Sequence, residues 1–168
     1  MTAAPLLAMK AIVKTYAGVH ALDHVDLTLT AGSVHALVGE NGAGKSTMIK
    51  VMTGATRASE GTISLRGQAL PAFGSPQDAQ AHGIVAVYQE VEVLAHRSVA
   101  ENLLLGREPR RWGLIDWEAM HEKARDVLHG LGLDLDPRAI LGELPIALRQ
   151  MVGIARGASL SENVLVLD

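Results

Sequence analysis

Short apolar runs punctuated by glycine fill the first half of the chain, and the spacing turns helical in the second. Met9 to Tyr16 reads as a first strand. Val25-Asp26-Leu27-Thr28-Leu29-Thr30 reads as a second, because apolar and polar residues alternate strictly there. Asp23 and His24 fall in the turn region expected between them. Ser33 to Val38 is short and mostly apolar, the pattern of a buried strand. From Lys45 to Met52 the pattern changes: Met48, Ile49, Val51 and Met52 share one side at helical spacing, and Gly54 suits the stop. Gly61 and Gly67 bracket another short strand. Pro76 to His82 suits one or two helical turns, with Pro76 at the first position and Gly83 ending them. Ile84 to Tyr88 is apolar throughout and runs into Gln89-Glu90.

Beyond residue 90 helices take over. Ser98-Val99-Ala100-Glu101 is a capping box opening a helix from Val99 to Leu105, which makes Glu101 a cap before it is a catalytic acid. Arg107, Arg110 and Arg111 form a basic loop with Trp112, read as solvated, with docking to a partner as the alternative. Asp116 can cap a helix running to Leu131 with Trp117, Met120, Ala124, Val127, Leu128 and Leu131 along one face. Pro145 is tolerated in the first turn of a helix from Ile146 to Ser159. Asn163 to Asp168 is an apolar run ending in an aspartate. The pattern thus divides into residues 1–89, an α/β part, residues 90–160, a helical part, and residues 161–168, a returning strand. No internal repeat is present.

The stretch with the most chemistry is Gly39-Glu40-Asn41-Gly42-Ala43-Gly44-Lys45-Ser46-Thr47, which fits G-x-x-x-x-G-K-[ST] between an expected strand and an expected helix. Its glycines let the backbone curl with N–H groups inward and let phosphate oxygens approach closely. The helix that follows presents the positive end of its dipole to the anion. Lys45 would reach the β- and γ-phosphates, the Ser46 hydroxyl would ligate Mg²⁺, and Thr47 would add a hydroxyl contact to the α-phosphate. A glycine-rich turn that happens to precede a helix is the alternative. Tyr16, where the first strand runs out, is either packing or a stacking platform for a flat ring. Gln89 either caps its strand or sits at the ligand-binding carboxyl edge of an α/β sheet. Asp168 either simply ends an apolar strand, as aspartates commonly do, or, in a phosphate-loop protein, presents a carboxylate to Mg²⁺ or its waters. His20 and His24 are about 13 Å apart if their stretch is extended, too far for one ion, and read as surface histidines.

Composition narrows the classes. A hydrophobic share of 48% and a charged share of 20% over 168 residues describe a folded protein with one core, or one core and a smaller lobe. The net charge of −3 and an aromatic share of 3% give no reason to expect nucleic acid. The chain has no cysteine, so thiolate metal sites and disulfides are out. Met1 to Lys10 lacks the basic region and long apolar core of a secretory signal. No apolar run approaches the ~20 residues that span a bilayer.

Taken together, these motifs resemble the nucleotide-binding subunit of an ATP-binding-cassette (ABC) importer of the ribose/galactose/xylose sugar type. The resemblance rests on Lys14 to Asp23, Gly39 to Thr47, Val87 to Glu90 and Ser98 to Asn102 running into Leu105 to Pro109. Gln150 to Arg156 and Val164 to Asp168 complete it. It implies an α/β phosphate-loop (P-loop) core with an antiparallel β subdomain and an α-helical subdomain. Its cofactors would be ATP and Mg²⁺, bound by Tyr16, Gly39, Asn41, Gly42, Ala43, Gly44, Lys45, Ser46 and Thr47. Tyr16 would stack on adenine. Ser46, Gln89 and Asp168 would serve the metal, and Lys45, Gln89 and Asp168 the catalysis, with Gln89 also touching the attacking water and linking the site to membrane subunits. Leu144 to Gln150 would be the signature segment, which binds the γ-phosphate held by an opposite cassette.

Two departures qualify what the resemblance implies. Pro145 stands where the signature has serine and brings neither hydroxyl nor backbone N–H, so this half-site is expected to be weak in trans. The sequence ends at Asp168, before the family's catalytic glutamate and switch histidine, and the loss of a general base is expected to cost roughly 10²–10⁴-fold in hydrolysis. The implied function is binding Mg-ATP and, in complete form, hydrolysing it to drive carbohydrate uptake. The implied partners are a second cassette, membrane-spanning permease subunits and, indirectly, a periplasmic sugar-binding protein. The implied location is peripheral, on the cytoplasmic face of the inner membrane. The alternative is a non-hydrolysing nucleotide-binding or interaction fragment. A GTPase is disfavoured because no Asn-Lys-x-Asp motif occurs.

Overall fold

The computed structural model describes residues 5–87 and 93–167. In chain order the elements are β1 (Pro5–Tyr16), β2 (Val19–Thr30), α1 (Lys45–Met52), β3 (Glu60–Leu65), β4 (Gln68–Ala69), α2 (Pro76–Ala81) and β5 (Ile84–Val87). They continue with α3 (Val99–Leu103), β6 (Arg110–Arg111), β7 (Leu114–Ile115), α4 (Trp117–Gly130), a 3₁₀ turn at Leu141–Glu143, α5 (Ile146–Leu160) and β8 (Val164–Leu167). The chain divides into two compact units, one containing the residues up to Ala86 with Ser161–Val166, the other Val87–Leu160.

The first unit is built on an antiparallel sheet in the order β2-β1-β3-β4, with β5 and β8 paired separately. Leu7, Met9 and Ile12 of β1 are wholly buried, and they meet Leu22, Ile63, Phe73 and Ile84 in one core. Met48, Val51 and Met52 close that core from α1, as their helical spacing requires. Burying each such side chain contributes roughly 1.5–3 kcal/mol, which is what seats α1 on the sheet. Gly54 ends the helix at φ 73°. There a side chain would collide with the Ser75 carbonyl. The β1–β2 connection is only Ala17-Gly18, at φ 44° and 85°, the double left-handed geometry of a two-residue hairpin.

Two expectations fail here. Asp23 and His24 lie inside β2, not in the turn, because β2 begins at Val19 and tolerates irregular register. Residues 33–38 do not form a strand; Val34 and Val38 are 101% and 87% exposed. An apolar run becomes a strand only when a neighbour takes its backbone hydrogen bonds, and among the described residues none pairs with it.

The second unit packs α3, α4 and α5 around Val99, Leu103, Met120, Ala124, Leu128, Leu141 and Val152. The capping box at the start of α3 forms as expected: Ser98 accepts from the Glu101 N–H, and Glu101 accepts from the Ser98 N–H at 2.9 Å. Helix α3 stops at Leu103, short of Leu105, which is exposed beside Gly106 at φ 77°. Asp116 caps α4 by accepting from the Ala119 N–H at 3.1 Å. Of the expected α4 face, Met120, Ala124 and Leu128 are buried while Trp117 and Leu131 remain exposed. The basic loop is a hairpin, β6 pairing with β7 around Trp112 and Gly113. Arg107 is not simply solvated: its guanidinium donates to the Ser159 hydroxyl at 3.0 Å, and burial pulls its pKa down.

Candidate functional site

The turn from residue 39 into α1 forms a tight knot around one cation. The Lys45 ammonium donates to the carbonyls of Gly39 (2.7 Å) and Glu40 (2.8 Å), and the Ala43 N–H donates to the Glu40 carbonyl. Gly42 and Gly44 hold φ of 87° and 88°, a backbone that a residue with a Cβ enters only at a cost. Gly44 is the N-cap of α1. It supplies no side chain, no acidic residue occupies the first turn, and the Met48 N–H donates to the Gly44 carbonyl at 2.8 Å. The opening N–H groups of α1 therefore have no side-chain cap, in a helix end that favours an anion.

Gly44 answers to its neighbours as well. Between Lys14 and Thr15 the β1–β2 register slips, so that Lys14 faces Leu22 and Thr15 faces His20, leaving Ala21 out of the ladder. A Cβ on Gly44 would lie 2.7 Å from the Ala21 carbonyl oxygen and 2.8 Å from Leu22 Cδ2. The bulge and the missing side chain together let the hairpin end press against the start of α1. Sequence reasoning missed this contact, because nothing in the alternation of β2 marks Ala21 as the residue that slips.

Tyr16 ends β1 at the same hairpin and is 45% exposed. The Lys14 ammonium sits 4.8 Å from its ring centroid and donates to the Arg57 carbonyl at 2.8 Å. Gly39, Asn41, Gly42, Ala43 and Ser46 are exposed, Gly44, Lys45 and Thr47 half-buried. Gln89 and Asp168 lie outside the described residues. In the second unit Leu144 is half-buried, and Pro145, Ile146 and Ala147 are exposed at the start of α5. Arg149 Nε donates back to the Leu144 carbonyl at 2.9 Å. His20 contacts Thr15 and His24 contacts Asp23, and among the described residues no group of three or more His, Asp or Glu could hold a metal ion. The Ser46 hydroxyl alone still suits Mg²⁺, which keeps waters and takes most other ligands from phosphate.

The family model described as "ABC transporter" matches residues 22–168. The chain belongs to the ABC transporter family. As an ABC chain it is 47% identical, over 98% of its length, to a ribose import ATP-binding protein of Rubrobacter xylanophilus, of which it covers 33%. It is 46% identical, over 97% of its length, to the galactofuranose transporter ATP-binding protein of Escherichia coli K12, of which it covers 32%. It thus spans about a third of the curated relatives it matches. Among solved structures it resembles a nucleotide-free ABC transporter cassette, with a TM-score of 0.81 and 30% identity over 98% of this chain and 68% of that one. It also resembles the ADP conformation of another such cassette, at 0.78 and 30%, covering 93% and 65%. The α/β phosphate-loop fold expected from the sequence is therefore the fold it has.

Proposed function

We propose that this ABC chain is the ATP-binding part of a sugar importer, and that loop 39–47 is where the triphosphate sits. The observation that carries this reading is the loop-to-helix junction: left-handed glycines, a helix start without a side-chain cap, and a lysine whose ammonium is held by carbonyls of the same loop. A triphosphate entering the turn offers Lys45 stronger, charged acceptors in place of Gly39 and Glu40. The amides of residues 42–47 would bond the β- and α-phosphate oxygens, and Thr47 would add its hydroxyl. Ser46 would hold Mg²⁺ together with Gln89 and Asp168; the ion supplies charge neutralisation on the phosphates when bound. Tyr16 would stack on adenine.

In the whole protein ATP hydrolysis would drive carbohydrate uptake, with a second cassette and membrane permeases as partners, at the cytoplasmic face of the inner membrane. Relatives named as a ribose import ATP-binding protein and a galactofuranose transporter ATP-binding protein support that substrate class. Among the described residues no helix is long and apolar enough to cross a membrane.

Equilibrium binding of ATP with Mg²⁺ to the wild-type chain and to Lys45→Ala tests the proposal. Removing a charged donor to phosphate is expected to weaken binding roughly ten- to hundredfold. Equal affinity in the two proteins would overturn the assignment of the loop.

A further inference from the structure

Tyr16 ends its strand half-exposed beside a two-residue turn, a place where a ring ordinarily turns freely. Here it does not stand alone. The Lys14 ammonium lies 4.8 Å from the ring centroid, inside the range of a cation–π contact. That ammonium is itself anchored, donating to the Arg57 carbonyl at 2.8 Å in the loop between α1 and β3. The same loop is tied to β1 twice more, Ser59 N–H to the Val13 carbonyl at 2.8 Å and Thr15 N–H to the Ser59 hydroxyl at 3.2 Å. Lys14 therefore works from a fixed point. Its register partner Leu22 is the residue packed against Gly44, so this strand end and the start of α1 belong to one contact.

We infer that Lys14 is a positioning residue for nucleotide-base recognition: it covers one face of Tyr16, fixes the ring plane, and leaves the other face for a purine. This rests on the proposed nucleotide-binding function and adds to it the group that orients the base platform. The ammonium draws π density toward itself, which suits the opposite face to an electron-rich ring. Its bond to a main-chain carbonyl and its seat on the ring set it apart from Lys45, which faces the loop where the phosphates would lie.

The test compares ATP with inorganic tripolyphosphate, which has the phosphates and no base, on the wild-type chain, Lys14→Met, Lys14→Arg, Tyr16→Ala and the Lys14→Met/Tyr16→Ala double variant. Lys14→Met keeps the stem and removes the charge. It is expected to bind ATP roughly three- to tenfold more weakly, a fraction of what a whole base–aromatic stack contributes because the ring itself remains, and to bind tripolyphosphate unchanged. Arginine is expected to restore ATP affinity, since it can stack on the ring and donate to the carbonyl. Once Tyr16 is alanine, removing Lys14 is expected to cost nothing further. Equal losses for both ligands would make Lys14 a phosphate or folding residue and overturn the inference, as would ATP binding insensitive to Lys14→Met. If Lys14→Met did not fold, Lys14→Arg would carry the test, and weakened binding of both ligands by that variant would overturn it. A wild-type chain that bound tripolyphosphate but gained nothing from the base would overturn this inference alone. One that bound neither would overturn the nucleotide reading beneath it.

Discussion

The Lys45 ammonium donates to the Gly39 carbonyl at 2.7 Å, joining the helix start to the residue that opens the loop. Lys45 thus closes a ring across the loop, donating to the Glu40 carbonyl as well. Under the proposed function such a bond would hold the turn near the shape that receives the triphosphate, leaving little ordering for binding to supply.

Gly42 and Gly44 share a left-handed backbone, yet alanine is expected to act differently at the two sites. At Gly42 an added Cβ meets nothing within 4 Å, so Gly42→Ala is expected to cost about 1–2 kcal/mol, the backbone strain alone. At Gly44 the Cβ would also press on the Ala21 carbonyl and on Leu22, and Gly44→Ala is expected to cost about 3 kcal/mol or more. Urea unfolding of the two variants checks this ordering; equal costs would mean that the bulge at Ala21 does not press on the loop.

Among the described residues, Asn102 is the most deeply buried polar residue of the helical unit, at 1% exposure. Its amide accepts from the Leu94 N–H at 2.7 Å and donates to the carbonyls of Leu94 and Ser98. Asn102→Leu would strand those main-chain groups and is expected to destabilise the unit by roughly 2–4 kcal/mol. Chemical denaturation measures it, and a neutral result would show that water replaces the amide.

Glu101 gives the helical unit an acid-sensitive element. Burial works against its charge, but the Ser98 N–H, the Ser98 hydroxyl and the Arg97 guanidinium outweigh it and hold the carboxyl below its ordinary value of 4.5. A depressed carboxylate contributes stability above its unfolded pKa and loses it as pH falls through the folded one. Glu101→Gln is therefore expected to lower stability at neutral pH and to flatten the acid limb below about pH 4.5. Parallel acid titrations of the two proteins would show this; an unchanged limb would contradict it.

Much of this was written in residue order. Met48, Ile49, Val51 and Met52 declared the buried face of α1, and Ser98 with Glu101 declared the start of α3, since both signals are local. The strand expected over residues 33–38 was not legible in the same way, because pairing depends on a neighbour remote in sequence. The slip at Ala21 and the anchoring of Lys14 on Arg57 are contacts between separate elements, and spacing along the chain carries no trace of them. The hairpin around Trp112 was concealed by its arginines, which suggested an open loop.

Amide hydrogen exchange with and without Mg-ATP tests the phosphate-loop account most directly. Bound triphosphate is expected to slow exchange in peptides covering residues 39–48 in the wild-type chain and to leave Lys45→Ala unprotected there. Protection confined to other segments, or equal in the two proteins, would contradict the assignment of this loop.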